Sequence, residues 1–178
     1  MIGKITAFDE WALRHSSTLH KRALTPLMRL LTHSGSGFVW FGLTFVFIVL
    51  YESNIEIVPG FLTLISCMFG AFLSLLFGQV LKRIVKRRRP ATAHNWHQPL
   101  IRTPSDGSFP STHTSTAVAL ALGLALAGHF LAPHIILWSA MVAFSRYYLG
   151  VHYPSDIIAG ALIGLAFGSF DYSSFVSA

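Results

Sequence analysis

The stretch Ser145–Asp156, SRYYLGVHYPSD, lies where two apolar runs meet, His134–Leu149 and Pro154–Phe170. Arg146 falls at the end of the first run and His152 in the turn, while Pro154 opens the second run and Asp156 sits in its first helical turn. Proline suits that opening position, because its missing N–H would have no intrahelical partner there. A carboxylate four residues after a histidine across such a turn can reach back, accept the Nδ1–H and leave Nε2 with a free lone pair. Asp156 could instead serve only the positive end of the helix dipole, but that role would not call for Arg146 and His152 beside it. Charged groups at the mouths of apolar helices point to a helical bundle in a bilayer, with its chemistry at one surface.

Composition agrees. Of 178 residues, 53% are hydrophobic and 11% charged, and the mean hydropathy is +0.57. Soluble domains carry about 25% charged residues. The expected fold is therefore all-α: a transmembrane helix bundle of about five spans. The spans are placed near Gly37–Tyr51, Ile57–Leu81, Thr112–Leu131, His134–Leu149 and Pro154–Phe170, and the last carries a packing face of Gly160, Ala161, Gly164 and Gly168. Several runs are shorter than the roughly 20 residues a perpendicular crossing takes. Residues 1–178 form one domain, with an interfacial segment over 1–36 and a membrane core over 37–171. In the interfacial segment, Ile5, Phe8 and Trp11 recur at near-helical spacing. Thr25-Pro26 reads as a cap and first helical residue, followed by an apolar stripe of Leu27, Met28, Leu30 and Leu31 and a stop at Gly35. Two amphipathic helices in the membrane interface account for this, as an anchor or as a rim that guides lipid. The first 30 residues lack a continuous apolar core, so no cleavable signal peptide is expected. Cys67, the single cysteine, lies in an apolar run and reads as a buried small hydrophobe.

The net charge of +6 lies beside apolar spans, which favours anionic headgroups and argues against a nucleic-acid partner. Lys82–Pro90, KRIVKRRRP, places Lys82 and Arg89 seven residues apart. If the helix persists to Pro90, both point the same way about 10.5 Å apart along the axis, with Arg83, Lys86 and Arg87 off that face. An ammonium and a planar guanidinium suit phosphoryl oxygens; alone, the run also reads as a juxtamembrane polybasic stop. Phe109–His113, FPSTH, precedes another apolar helix with Ser111 as its N-cap. Free N–H groups at such an end attract anions, and His113 in the first turn could protonate a leaving oxygen. Counting crossings brings all three blocks to one face.

Together the blocks read Lys-x6-Arg-Pro, Pro-Ser-x-His and Ser-Arg-x5-His-x3-Asp. This pattern resembles the type 2 phosphatidic acid phosphatase superfamily, whose site is shared with vanadium haloperoxidases. The resemblance implies that Lys82, Arg89, Ser111, Thr112 and Arg146 bind phosphate, His113 protonates the leaving group, His152 attacks phosphorus and Asp156 orients His152. Thr112 stands where the family has glycine, so backbone donation there is the least direct transfer. The resemblance further implies a metal-independent lipid phosphatase with no cofactor, acting through a phosphohistidine on undecaprenyl diphosphate, phosphatidylglycerol phosphate or phosphatidic acid in a bacterial inner membrane. A phosphotransferase of the same fold and a non-catalytic lipid-binding protein are the rivals. His94 and His97, with His113 or His152, could mimic a zinc ligand set, but they fit better in the headgroup layer with Trp96, shaping entry. Every Lys and Arg falls on the catalytic face, so the positive-inside rule favours the cytoplasm for that face, whereas the resemblance admits the outer face, where many members of that superfamily work.

Overall fold

The computed structural model describes residues 2–37, 39, 40, 42, 43, 45, 46 and 61–170. Among these residues there are helices and connections but no strand: α1 (Ile2–Ser16), α2 (Thr25–Ser34), α3 (Phe61–Val85), α4 (Thr112–Leu126), α5 (Ala132–Tyr148) and α6 (Pro154–Gly168). The expected span Gly37–Tyr51 lies largely outside the described residues. The stretch Leu62–Ala93 contains a window long and apolar enough to cross a bilayer, whereas α4 and α6 are apolar but shorter.

Glycine and leucine divide the faces of α6. A Cβ on Gly160 would collide with the Ser111 carbonyl oxygen, and one on Gly164 would lie 2.5 Å from that of Ser115. The stripe read as a packing face therefore lets α6 press its backbone onto α4. On the opposite side Ile158, Leu162 and Leu165 are exposed. Small residues inward and large apolar residues outward is the arrangement expected where the outer medium is itself apolar. A core of Leu64, Met68, Ala71, Leu120 and Leu124 joins α3 to α4, and a second joins α2 to the end of α5 through Met28, Leu31, Tyr148 and Leu149.

Local details differ from expectation. α3 stops at Val85 because Lys86 turns the backbone left-handed at φ 49°. Lys82 and Arg89 are therefore not two turns apart on one helix: Arg89 is extended, and Pro90 opens a short helical turn, Pro90–Ala93, rather than ending one. Ala132 and Pro133 begin α5 rather than connecting two spans. Thr25 lies inside α2, with Leu24 at the N-cap, while Gly35 does cap its C-terminus.

The N-terminal segment docks on the catalytic end. Tyr147 Oη donates to the Ala12 carbonyl at 2.7 Å, and Lys21 N–H donates to Tyr148 Oη at 2.8 Å. On α1, Ile5, Phe8 and Trp11 face outward, while Asp9, Ala12, Leu13 and Ser16 are buried. On α2, Met28 and Leu31 point inward and Leu27 and Leu30 outward. The long 86–111 connection is pinned rather than loose. Arg14 stacks over Trp96 at 4.0 Å, Arg29 donates to the Leu100 carbonyl, and His97 donates through Nε2 to the Gly150 carbonyl at 2.7 Å.

Candidate active site

The C-terminal ends of α3 and α5 and the N-terminal ends of α4 and α6 meet at one end of the bundle. The Ser111 N–H donates to the Asp156 carbonyl at 3.0 Å, tying the mouths of α4 and α6 together. Lys82, Arg89, Arg146, Ser111, Thr112, His152 and Asp156 are all buried there. His113, in the first turn of α4, lies within electrostatic reach of Arg146, His152, Lys82 and Arg89. The residues singled out from sequence thus share one site.

His152 is the centre. Burial, and then the charges of Arg146, Arg89 and Lys82, push its imidazole well below its ordinary range, so the ring is neutral. Arg89 Nη1 lies 3.3 Å from His152 Nε2. A guanidinium can only donate, so Nε2 accepts and the proton sits on Nδ1. Asp156 Oδ2 lies 3.6 Å from Nδ1, beyond hydrogen-bond length. That oxygen takes the Tyr153 N–H at 3.0 Å instead. Two buried nitrogens make no hydrogen bond among the described residues: Arg146 Nε among the cations, and His152 Nδ1 on the Asp156 side of the ring. The other end of the Arg146 guanidinium is held by Thr32 Oγ1 of α2.

Ser111 is the N-cap of α4, but its Oγ meets Thr114 Oγ1 at 3.0 Å rather than a backbone N–H of the first turn. Thr112 packs its methyl against α3, where a Cβ on Gly78 would lie only 2.7 Å from Thr112 Cγ2. The bulk of Thr112 is thus matched by a glycine opposite.

Two groups were not legible as site residues. Asp106, on the connection before α4, pairs with Lys82 Nζ at 2.7 Å and Arg89 Nη2 at 2.6 Å, and its carbonyl takes Arg89 Nε at 3.0 Å. Its carboxyl is held below the usual range: burial would raise it, but hydrogen bonds from Lys82 and Arg89 outweigh that. Arg87, expected off the catalytic face, binds Asp156 Oδ1 at 2.6 Å and Asp9 Oδ2 at 2.7 Å. Burial works against its charge, yet the two carboxylates raise its pKa. No spacing rule connects Asp9 or Asp106 with these partners; the signal available was only that carboxylates are scarce in the chain.

Residues 61–176 match the family model described as the PAP2 superfamily. The chain is 38% identical over 103 residues to decaprenylphosphoryl-5-phosphoribose phosphatase of Mycobacterium tuberculosis, covering 56% of this chain and 54% of that protein. It is 30% identical over 142 residues to an undecaprenyl-diphosphatase of Sulfolobus acidocaldarius, covering 79% of this chain and 66% of the relative. The match to the mycobacterial relative thus spans about half of that protein's length. Among solved structures, the fold is similar to a transmembrane PAP2 type phosphatidylglycerolphosphate phosphatase from Bacillus subtilis. The TM-score is 0.72 at 24% identity, over 98% of this chain and 85% of the other.

Proposed function

The chain belongs to the PAP2 superfamily, and from that premise we propose that it is an integral-membrane phosphatase that hydrolyses a lipid-linked phosphate ester or diphosphate. The observation that carries this reading is the Arg89–His152 contact: a donor-only guanidinium 3.3 Å from Nε2 requires a neutral imidazole with its lone pair turned toward the cations.

His152 Nε2 attacks phosphorus as the P–O bond to the leaving group breaks, and His113 gives that oxygen its proton. Water, deprotonated by His113, then attacks the phosphohistidine, releasing inorganic phosphate and restoring Nε2. Lys82, Arg89 and Arg146 hold the three equatorial oxygens, where charge spreads in the transition state. Arg146 Nε is a donor awaiting such an oxygen. Ser111 and the first turn of α4 complete the phosphate cradle, and Asp156 orients His152. These residues supply acid, base, nucleophile and charge with no step that needs a metal ion.

The substrate is a membrane lipid, because Ile158, Leu162 and Leu165 turn outward as lipid-facing groups do and the site opens at one end of the same bundle. A bundle of about five spans, with α1 and α2 in the interface, accommodates this within a bacterial inner membrane. Undecaprenyl diphosphate is the first candidate, alongside phosphatidylglycerol phosphate, phosphatidic acid and the decaprenyl-linked sugar phosphate acted on by the mycobacterial relative.

The test uses the purified chain in detergent micelles with that panel and no acceptor lipid. Inorganic phosphate should appear with at least one lipid and should not with His152→Ala. Hydrolysis that survives His152→Ala refutes the mechanism, and turnover that requires an acceptor lipid identifies a phosphotransferase.

A further inference from the structure

Asp9 sits on the buried face of α1, 1% exposed, upstream of the residues that match the family model. A helix that only rested on the core would need no charge on its inner face. Burying an unpaired carboxylate is strongly unfavourable, and every contact here offsets that. Oδ1 accepts the Ser155 N–H at 3.0 Å, one of the unpaired donors in the first turn of α6. Oδ2 accepts from Ser155 Oγ at 2.5 Å and from Arg87 Nη2 at 2.7 Å. Arg87 Nη1 in turn donates to Ser155 Oγ at 2.7 Å and to Asp156 Oδ1 at 2.6 Å. Asp9 therefore caps α6 from another helix and fixes the guanidinium that grips the back of Asp156. The front oxygen, Oδ2, is left facing Tyr153 N–H and His152.

We propose that Asp9 is a positioning residue of the phosphoryl-transfer site, holding the Asp156 carboxylate behind His152 through Arg87 and Ser155. Charge supports this. Two carboxylates share one guanidinium, which leaves a net negative charge behind the ring when it takes on positive charge in bonding to phosphorus. Lys82, Arg89 and Arg146 contact neither Asp9 nor Arg87 through the bonds described above, so the three cations of the phosphate cradle are separate from this clamp.

The inference rests on the proposed hydrolase reading, and the experiment separates the two. Steady-state hydrolysis of undecaprenyl diphosphate, or of whichever panel lipid is turned over, is measured for the full chain and for Asp9→Asn, Asp9→Glu, Arg87→Gln, the Asp9→Asn/Arg87→Gln double variant and His152→Ala. Thermal melting reports folding for each. Asp9→Asn should lower kcat roughly 10- to 100-fold, the loss found when the hydrogen-bonded partner behind a metal-bound histidine is removed, with KM within about twofold because the three cations of the cradle are untouched. Asp9→Glu should recover most of kcat by restoring the charge, and the double variant should be no slower than Arg87→Gln alone. If Asp9→Asn does not survive purification, Arg87→Gln reads the same link, because it leaves the Asp9–Ser155 bonds in place. Unchanged kcat in both single variants, a loss confined to KM, or multiplying losses in the double variant overturns the inference. If the unmodified chain turns over no lipid, or His152→Ala is as active as it, the hydrolase reading itself fails.

Discussion

At the scale of single residues, the site is governed by competition for cations. Lys82 and Arg89 are paired with the Asp106 carboxylate at 2.7 and 2.6 Å, so a phosphate that needs both must displace it. Apparent affinity falls by the fraction of molecules with the cations free. Asp106→Asn should therefore lower KM by about 3- to 10-fold; an unchanged or higher KM would mean that Asp106 helps build the cradle rather than block it. The same pair has a pH signature. Asp106 is depressed below its ordinary value of 3.8 in the folded protein. Its stabilising contribution is thus complete above that ordinary value and is lost as pH falls through the lower folded value. Melting temperatures of the unmodified chain and Asp106→Asn, followed from pH 7 downward, should converge only in that acid window.

At the scale of elements, α4 is the pivot, packed by α3 on one side and α6 on the other. Thr112 widens α4, and Gly78 of α3 gives the space back, with 2.7 Å between its would-be Cβ and Thr112 Cγ2. Threonine's branched Cβ restricts χ1 and keeps bulk on the helix face in either of its helical rotamers. Gly78→Ala should destabilise the protein by about 1–3 kcal/mol through overpacking, and adding Thr112→Gly should restore it. Chemical denaturation of the single and double variants measures this; a Gly78→Ala protein as stable as its parent would show that α3 and α4 separate easily.

At the scale of the molecule, the connection over residues 86–111 and the N-terminal helices form one assembly over the catalytic end, held by Arg14 on Trp96 and Arg29 on the Leu100 carbonyl. The basic residues of this assembly lie at this end, and the positive-inside rule predicts that such an end faces the cytoplasm. Ser105, exposed on that connection, reports the sidedness. In a Cys67→Ala background, Ser105→Cys should resist an impermeant thiol reagent in intact cells and react in inverted vesicles. Labelling of intact cells would place the site outside.

The sequence by itself determined the helical class, the three blocks and their arrival at one end, because apolar runs, helix caps and short spacings act locally along the chain. It marked Lys82, Arg89, Ser111, Arg146, His152 and Asp156, and the structure buries all six together. It misread the link between Lys82 and Arg89, because a left-handed residue such as Lys86 leaves no mark among like-charged neighbours. Only the tertiary structure decided which carboxylate meets which cation. Asp9 and Arg87 are far apart in sequence, and nothing in their spacing signals the 2.7 Å contact. Burial selects such pairs: once helices close over an ionisable group, desolvation leaves it either neutral or beside an opposite charge.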